Sequence, residues 1–187
     1  LSELCGKYMC MTADVSIDLE LNQTISSIVS EWGGVDILIN NVGGGGRWGD
    51  ECILKTKDSV WREVYDKNVS SSIKYIKSFL PYMMDKNWGR VVCITSLYGK
   101  QVGGRPWFNL AKSSQNVLMK NLSQNKLYSK HNITFNGVAP GPTYIENTGW
   151  GTMKAEDPTK FKKYIAENIP RGKMATPEEI ANVVLFL

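Results

Sequence analysis

Val35-Asp36-Ile37-Leu38-Ile39, then Asn40-Asn41-Val42-Gly43-Gly44-Gly45-Gly46: a short apolar run ends in an asparagine pair and four glycines. The run is too short for a helix and follows the breaker Gly33-Gly34, so it predicts a strand. Glycines at a strand end let the backbone approach a flat or phosphorylated ligand closely, although a flexible turn has the same composition.

Working outward, the same pattern returns twice. Arg90-Val91-Val92-Cys93-Ile94-Thr95 follows Asn87-Trp88-Gly89, and Ile133-Thr134-Phe135-Asn136-Gly137-Val138 is closed by Pro140-Gly141-Pro142. A weaker run, Tyr8 to Thr12, predicts a fourth strand. Helical periodicity fills the intervals. Residues 19–32 carry Leu19, Ile25, Ile28, Val29 and Trp32, and residues 57–86 carry Val60, Val64, Val69, Ile73, Ile76 and Leu80. Thr56-Lys57-Asp58 resembles a cap for the second of these. Residues 107–128 form a further helical segment, and Thr176-Pro177-Glu178-Glu179 predicts a last helix opened by a capping box with proline at its first position. Strands of nearly uniform apolar character alternating with helices predict a doubly wound α/β fold, a Rossmann-like parallel sheet between two helical layers. In such sheets ligands sit at the carboxyl ends of the strands.

One domain spanning residues 1–187 is expected, its interior interrupted by the long irregular stretch 140–172, which reads as a substrate lid with a short helix near 158–167. The chain opens at Leu1 without methionine and stops within the apolar pattern Ala181 to Leu187, so we expect truncation at both ends.

Composition narrows the class. Apolar residues make up 42% and charged residues 21%, which suits a globular domain. The net charge of +4 is modest, and the one tight lysine cluster, Lys160, Lys162 and Lys163, reads as a solvated helix face, so no nucleic acid is expected. No apolar run nears the ~20 residues of a membrane span and no signal peptide opens the chain, so neither a membrane nor secretion is expected. Cys5, Cys10, Cys52 and Cys93 match neither a zinc site nor a redox pair. Free thiols fit a reducing cytoplasm. The single histidine, His131, lies in a polar stretch and reads as a surface residue, so no metal site is expected.

The motifs fall in one order: Asn40-Asn41-Val42-Gly43 after a strand, Asn68-Val69 in a helix, Ser96 after the next strand, Lys112 in a helix, and Pro140-Gly141 after the following strand. This order resembles the short-chain dehydrogenase/reductase family along nearly the whole chain. The resemblance implies that Asp14 and Val15 lie at the adenine ring of a dinucleotide. It implies that Asn40, Val42 and Gly43 shape the cofactor pocket, and that Pro140, Gly141 and Thr143 lie at the nicotinamide carboxamide. Asn68 would hold a water in a proton relay, Ser96 would hydrogen-bond the reacting oxygen, and Lys112 would bind the nicotinamide ribose and lower the pKa of a neighbouring tyrosine. The implied activity is hydride transfer between NAD or NADP and a small-molecule carbonyl/alcohol pair, in a homodimer or homotetramer.

The chain departs from that pattern at Phe108, four residues before Lys112, where the family has its catalytic tyrosine. A phenyl ring can neither donate nor accept the proton that such a reaction needs. Three explanations stand: another acid substitutes, turnover has been lost while the fold is kept, or the change is engineered. Tyr98, two residues beyond Ser96, is the nearest substitute, although a loop aromatic lining the pocket is the simpler role for it. Retention of Asn68, Ser96 and Lys112 favours the enzyme over a non-catalytic dinucleotide-binding or scaffold member of the same fold. The family's glycine-rich phosphate turn, and the residue that selects NAD or NADP, would precede Leu1. Tyr144, Trp150, Met153 and Tyr164 could line a substrate pocket, and Arg105 and Trp107 could face it, which leaves a hydroxy-sugar, a polyol and an acyl thioester all open.

Overall fold

The computed structural model describes residues 6–187. Strands β1 (Ile37–Asn40), β2 (Gly89–Ile94) and β3 (Ile133–Val138) form a parallel sheet in the order β1-β2-β3. Ile37 stands opposite Arg90, and Gly89 opposite Ile133. Side chains alternate across the sheet. Leu38, Val91, Cys93, Ile133 and Phe135 meet Ile76, Phe79, Leu80 and Met83 of helix α3 (Ser71–Lys86) and Met119 of helix α4 (Pro106–Gln124). Helix α1 (Asp18–Trp32) adds Ile25, Ile28 and Val29 to this core. On the other face, Ile39 and Ile94 look toward Ile180 and Val184 of helix α8 (Pro177–Phe186). Helices on both faces of a parallel sheet are the doubly wound α/β arrangement.

The Tyr8–Thr12 run is not a strand. A strand exists by pairing, and β1 has β2 as its neighbour on one side only among the described residues. Ile37 and Ile39 are accordingly about half exposed, at 54% and 49%.

The segment expected to run unbroken from 57 to 86 is continuous but changes pitch. Helix α2 (Asp58–Tyr65) passes into a five-residue π-helical turn, Asp66–Ser70, before α3. Lys57, rather than Thr56, stands at the N-cap and caps with no side-chain bond; the Thr56 hydroxyl instead donates to the carbonyls of Asp50 and Cys52. The 107–128 segment ends as α4 at Gln124, and the Asn125 side chain caps a short helix α5 (Lys126–Ser129). Within 140–172 the chain forms two helices, α6 (Gly149–Glu156), which was not expected, and α7 (Pro158–Asn168), the expected short helix. The capping box of α8 is formed in full by Thr176 and Glu179. In α1 the buried apolar residue is Leu21, with Leu19 turned outward. No helix among the described residues is long and apolar enough to cross a membrane.

Candidate active site

Because the strands are parallel, Gly43, Ser96 and Pro140 all follow strand carboxyl ends and lie along one edge of the sheet. The backbone ties two of these segments together, Leu97 N–H donating to Pro140 O at 2.9 Å.

Asn68 sits in the π-helical turn, fully buried. The extra residue of a π turn re-aims side chains and carbonyls that an α-helix would stack, and such turns recur at functional sites. The Asn68 amide nitrogen donates to Val64 O at 2.7 Å and Gly44 O at 2.9 Å, while its oxygen accepts from Gly44 N–H at 3.3 Å. The glycine turn is thereby fastened to the helix across 24 residues of sequence. A Cβ at Gly43 would fall 2.6 Å from Asn68 Oδ1 and 3.1 Å from Lys112 Nζ, so this is a position where only hydrogen fits.

Lys112 is the one buried charged residue among the described residues, at 5% exposure. Its ammonium donates to Ile94 O at 3.1 Å and to Gln115 Oε1 at 2.9 Å. Burial pulls its pKa down from 10.5 to about 8, an effect that neighbouring Cys93 partly offsets. The Phe108 ring lies with its centroid 5.7 Å from Lys112 Nζ. Ser96 Oγ accepts from Tyr98 N–H at 3.2 Å, which leaves the hydroxyl proton free to be donated.

A cavity of about 770 Å³ opens over this edge. Ser96, Tyr98, Phe108, Pro140, Gly141 and Thr143 line it, together with Arg105, Trp150 and Tyr164. Thr143 also faces a second hollow of about 580 Å³ beneath α8. Asn40 is buried at the end of β1, and its Nδ2 finds no partner among the described residues. Val15, Asn40 and Val42 line a third, apolar hollow of about 340 Å³ beside β1.

The structure thus brings Asn68 and Lys112 together at Gly43, and Ser96 and Phe108 together at the cavity. Asp14 lines none of the three hollows; it is exposed, and hydrogen bonds from Ser16 hold its carboxyl below its ordinary pKa. Trp107 does not face the cavity. It is buried at 1% exposure, edge-on to Trp61 with centroids 5.3 Å apart, because its position on α4 points toward Val64 and Val69. Tyr144 packs instead on Phe161 and Lys154, and Met153 lines none of the three hollows. Sequence reasoning missed Arg47, whose guanidinium lies 5.6 Å over the Trp150 ring in the cavity wall. It also missed Gln115, although a glutamine between Ala111 and Met119 on the buried stripe of α4 was a visible signal.

Residues 1–187 match the family described as enoyl-(acyl carrier protein) reductase. The chain is 31% identical to the 3-oxoacyl-[acyl-carrier-protein] reductase FabG of Aquifex aeolicus, over 99% of this chain and 72% of that protein. It is also 31% identical to the Escherichia coli protein of the same name, over 93% of this chain and 67% of that one. Among solved structures, 7α-hydroxysteroid dehydrogenase complexed with NADH and 7-oxo glycochenodeoxycholic acid superimposes with a TM-score of 0.77 at 26% identity, covering 94% of this chain and 65% of that one. NAD+-bound xylitol dehydrogenase shares the fold with a TM-score of 0.81 at 22% identity, covering 95% and 71%. The match along the whole chain agrees with the order of motifs from Asn40 to Pro140: the chain belongs to the short-chain dehydrogenase/reductase family, the NAD(P)-dependent oxidoreductases.

Proposed function

We propose that this chain carries the site of an NAD(P)-dependent oxidoreductase for a small-molecule carbonyl/alcohol pair, impaired in proton transfer by Phe108. The observation that carries the reading is the convergence of Gly43, Asn68 and Lys112, with a side-chain-free cradle at Gly43, beside a cavity holding Ser96 and Phe108. The cradle and the unpartnered Asn40 Nδ2 suit a flat polar group, so the residues present fit a nicotinamide cofactor. Asn40, Val42, Gly43, Lys112, Pro140, Gly141 and Thr143 would hold it, with Asp14 and Val15 toward the adenine end. When bound, that cofactor supplies or accepts the hydride.

The chain's own residues handle the oxygen. Negative charge grows there as a carbonyl is reduced, and a donor already in position stabilises it. Ser96 has the free hydroxyl proton for this role but holds it too tightly to release it. Lys112, desolvated and with a pKa near 8, is suited to tune a neighbouring acid. At position 108 the neighbour has no hydroxyl, so the proton must come from water or from Tyr98, which lines the same cavity.

Restoring the hydroxyl tests this. In the full-length protein, Phe108→Tyr is expected to raise turnover at least ~10-fold across a panel of carbonyl substrates with NADH and NADPH, since a positioned general acid contributes ~10²–10⁴ in rate. Ordinary turnover by the Phe108 protein with no gain from tyrosine would refute the roles assigned. Phe108 also favours a second reading, a non-catalytic dinucleotide-binding protein, and silence of both variants would select it.

A further inference from the structure

Gln115 lies three residues after Lys112 on α4, so the two side chains share one helix face. Its environment is unusual for a glutamine, since it is wholly buried. Every polar atom is engaged. Oε1 accepts from Lys112 Nζ at 2.9 Å, and Nε2 donates to the main-chain oxygen of Asn68 at 2.7 Å and to Ser72 Oγ at 3.4 Å. Ser72 Oγ donates to the same Asn68 oxygen at 2.8 Å. A carbonyl has two lone pairs, so two donors leave none for a water.

We propose that Gln115 is a positioning residue that straps the Lys112 ammonium to the Asn68 carbonyl, taking the place of a relay water and closing the proton route there. The inference rests on the oxidoreductase reading for its meaning, but the strap is a property of this chain. A water passes a proton by accepting one and releasing another. A neutral amide does not: its N–H is not acidic, and its oxygen accepts a bond from Lys112 without taking the proton. The site is therefore interrupted twice, at Phe108, which lacks the hydroxyl, and at Gln115, which lacks an exchangeable relay. Cys93, on β2, is the other titratable group facing that ammonium, and its thiol is hydrogen-bonded with Ser72, which borders the strap.

Three measurements test this. In a high-resolution crystal structure of Gln115→Ala, or of Gln115→Ser if alanine fails to fold, a water is expected within hydrogen-bond distance of both Lys112 Nζ and Asn68 O. A space left dry or filled by another side chain would overturn the proposal. In ¹³C-lysine NMR titrations, Gln115→Met should make Lys112 about 10-fold more acidic, by loss of a bond to a charged donor, and Gln115→Glu should make it less acidic. An unmoved titration in both variants also overturns it. In turnover assays, Phe108→Tyr with Gln115→Ala should exceed Phe108→Tyr alone about 10-fold. No gain, with Phe108→Tyr already at an ordinary rate, shows that the route was never closed. Silence of every variant counts against the oxidoreductase reading, and the bridging water and the titration then decide the strap.

Discussion

Lys112 shows how a single residue links the site to the stability of the molecule. The unfolded chain keeps that proton up to about its ordinary 10.5, whereas the folded chain releases it near 8. Below about pH 8 both states are protonated, and the cost of burying the ammonium, roughly 3 kcal/mol, is carried in full. Between 8 and 10.5 the unfolded state binds more protons, so stability rises with pH across that window. Relative to Lys112→Met, which has no charge to bury, the natural protein should therefore gain urea resistance between pH 7 and pH 10. A difference that stays flat with pH would show that the amine is solvated rather than buried. At this scale the motifs pick out Asn68, Ser96 and Lys112 as candidates, and the fold places Asn68 and Lys112 at Gly43 and Ser96 in the cavity wall. For Gln115 the sequence shows a polar residue on an apolar stripe but not its role, because nothing in a list of residues tells that an amide lies between an ammonium and a main-chain oxygen brought from 47 positions away.

The elements were legible through periodicity and turn chemistry, and obscure where a tertiary partner decides. All three strong β runs became strands, and the Thr176 capping box formed as its spacing predicted. The π turn at Asp66–Ser70 leaves no trace in hydrophobic period, since one extra residue shifts the pattern less than its own scatter. Its consequence is local and testable at the glycine turn that Asn68 fastens. Gly45 has φ +87°, and a Cβ there would collide with the Val64 side chain, itself wholly buried beside Trp107. Gly45→Ala should cost about 3 kcal/mol from backbone strain and overpacking together. Gly44→Ala meets open space and carries only the strain of φ +153°, about 1 kcal/mol. Gly46→Ala would make ordinary contact with the Phe108 ring at 3.5 Å and should be nearly neutral. Thermal or urea unfolding of the three variants reads the order directly, and equal losses would mean that the turn yields as a whole.

At the scale of the whole molecule, the α/β class was legible because uniform apolar strands imply cover on both faces, but the partition of helix surfaces was not. Val117, Leu118 and Leu122 look equivalent in the sequence of α4. In the fold, Leu118 and Leu122 lean against the chain's own core, while Val117 is 58% exposed and Leu110, two turns earlier, 55%. Two apolar side chains on the outer face of a long helix, beside the α2–α3 segment, make a small patch that water covers in the isolated chain. We expect this face to pair with a second copy across a two-fold axis, where the patch meets the same patch and residues near the axis meet their own counterparts. Charge placed at the axis would then meet like charge, so Val117→Lys should cost association more than a lysine at a rim position does. Sedimentation of the full-length protein at micromolar concentration should show a dimer or tetramer, and Val117→Lys should shift the mass toward the monomer. A monomeric natural protein, or a Val117→Lys variant of unchanged mass, would place the contact elsewhere and leave this face to solvent.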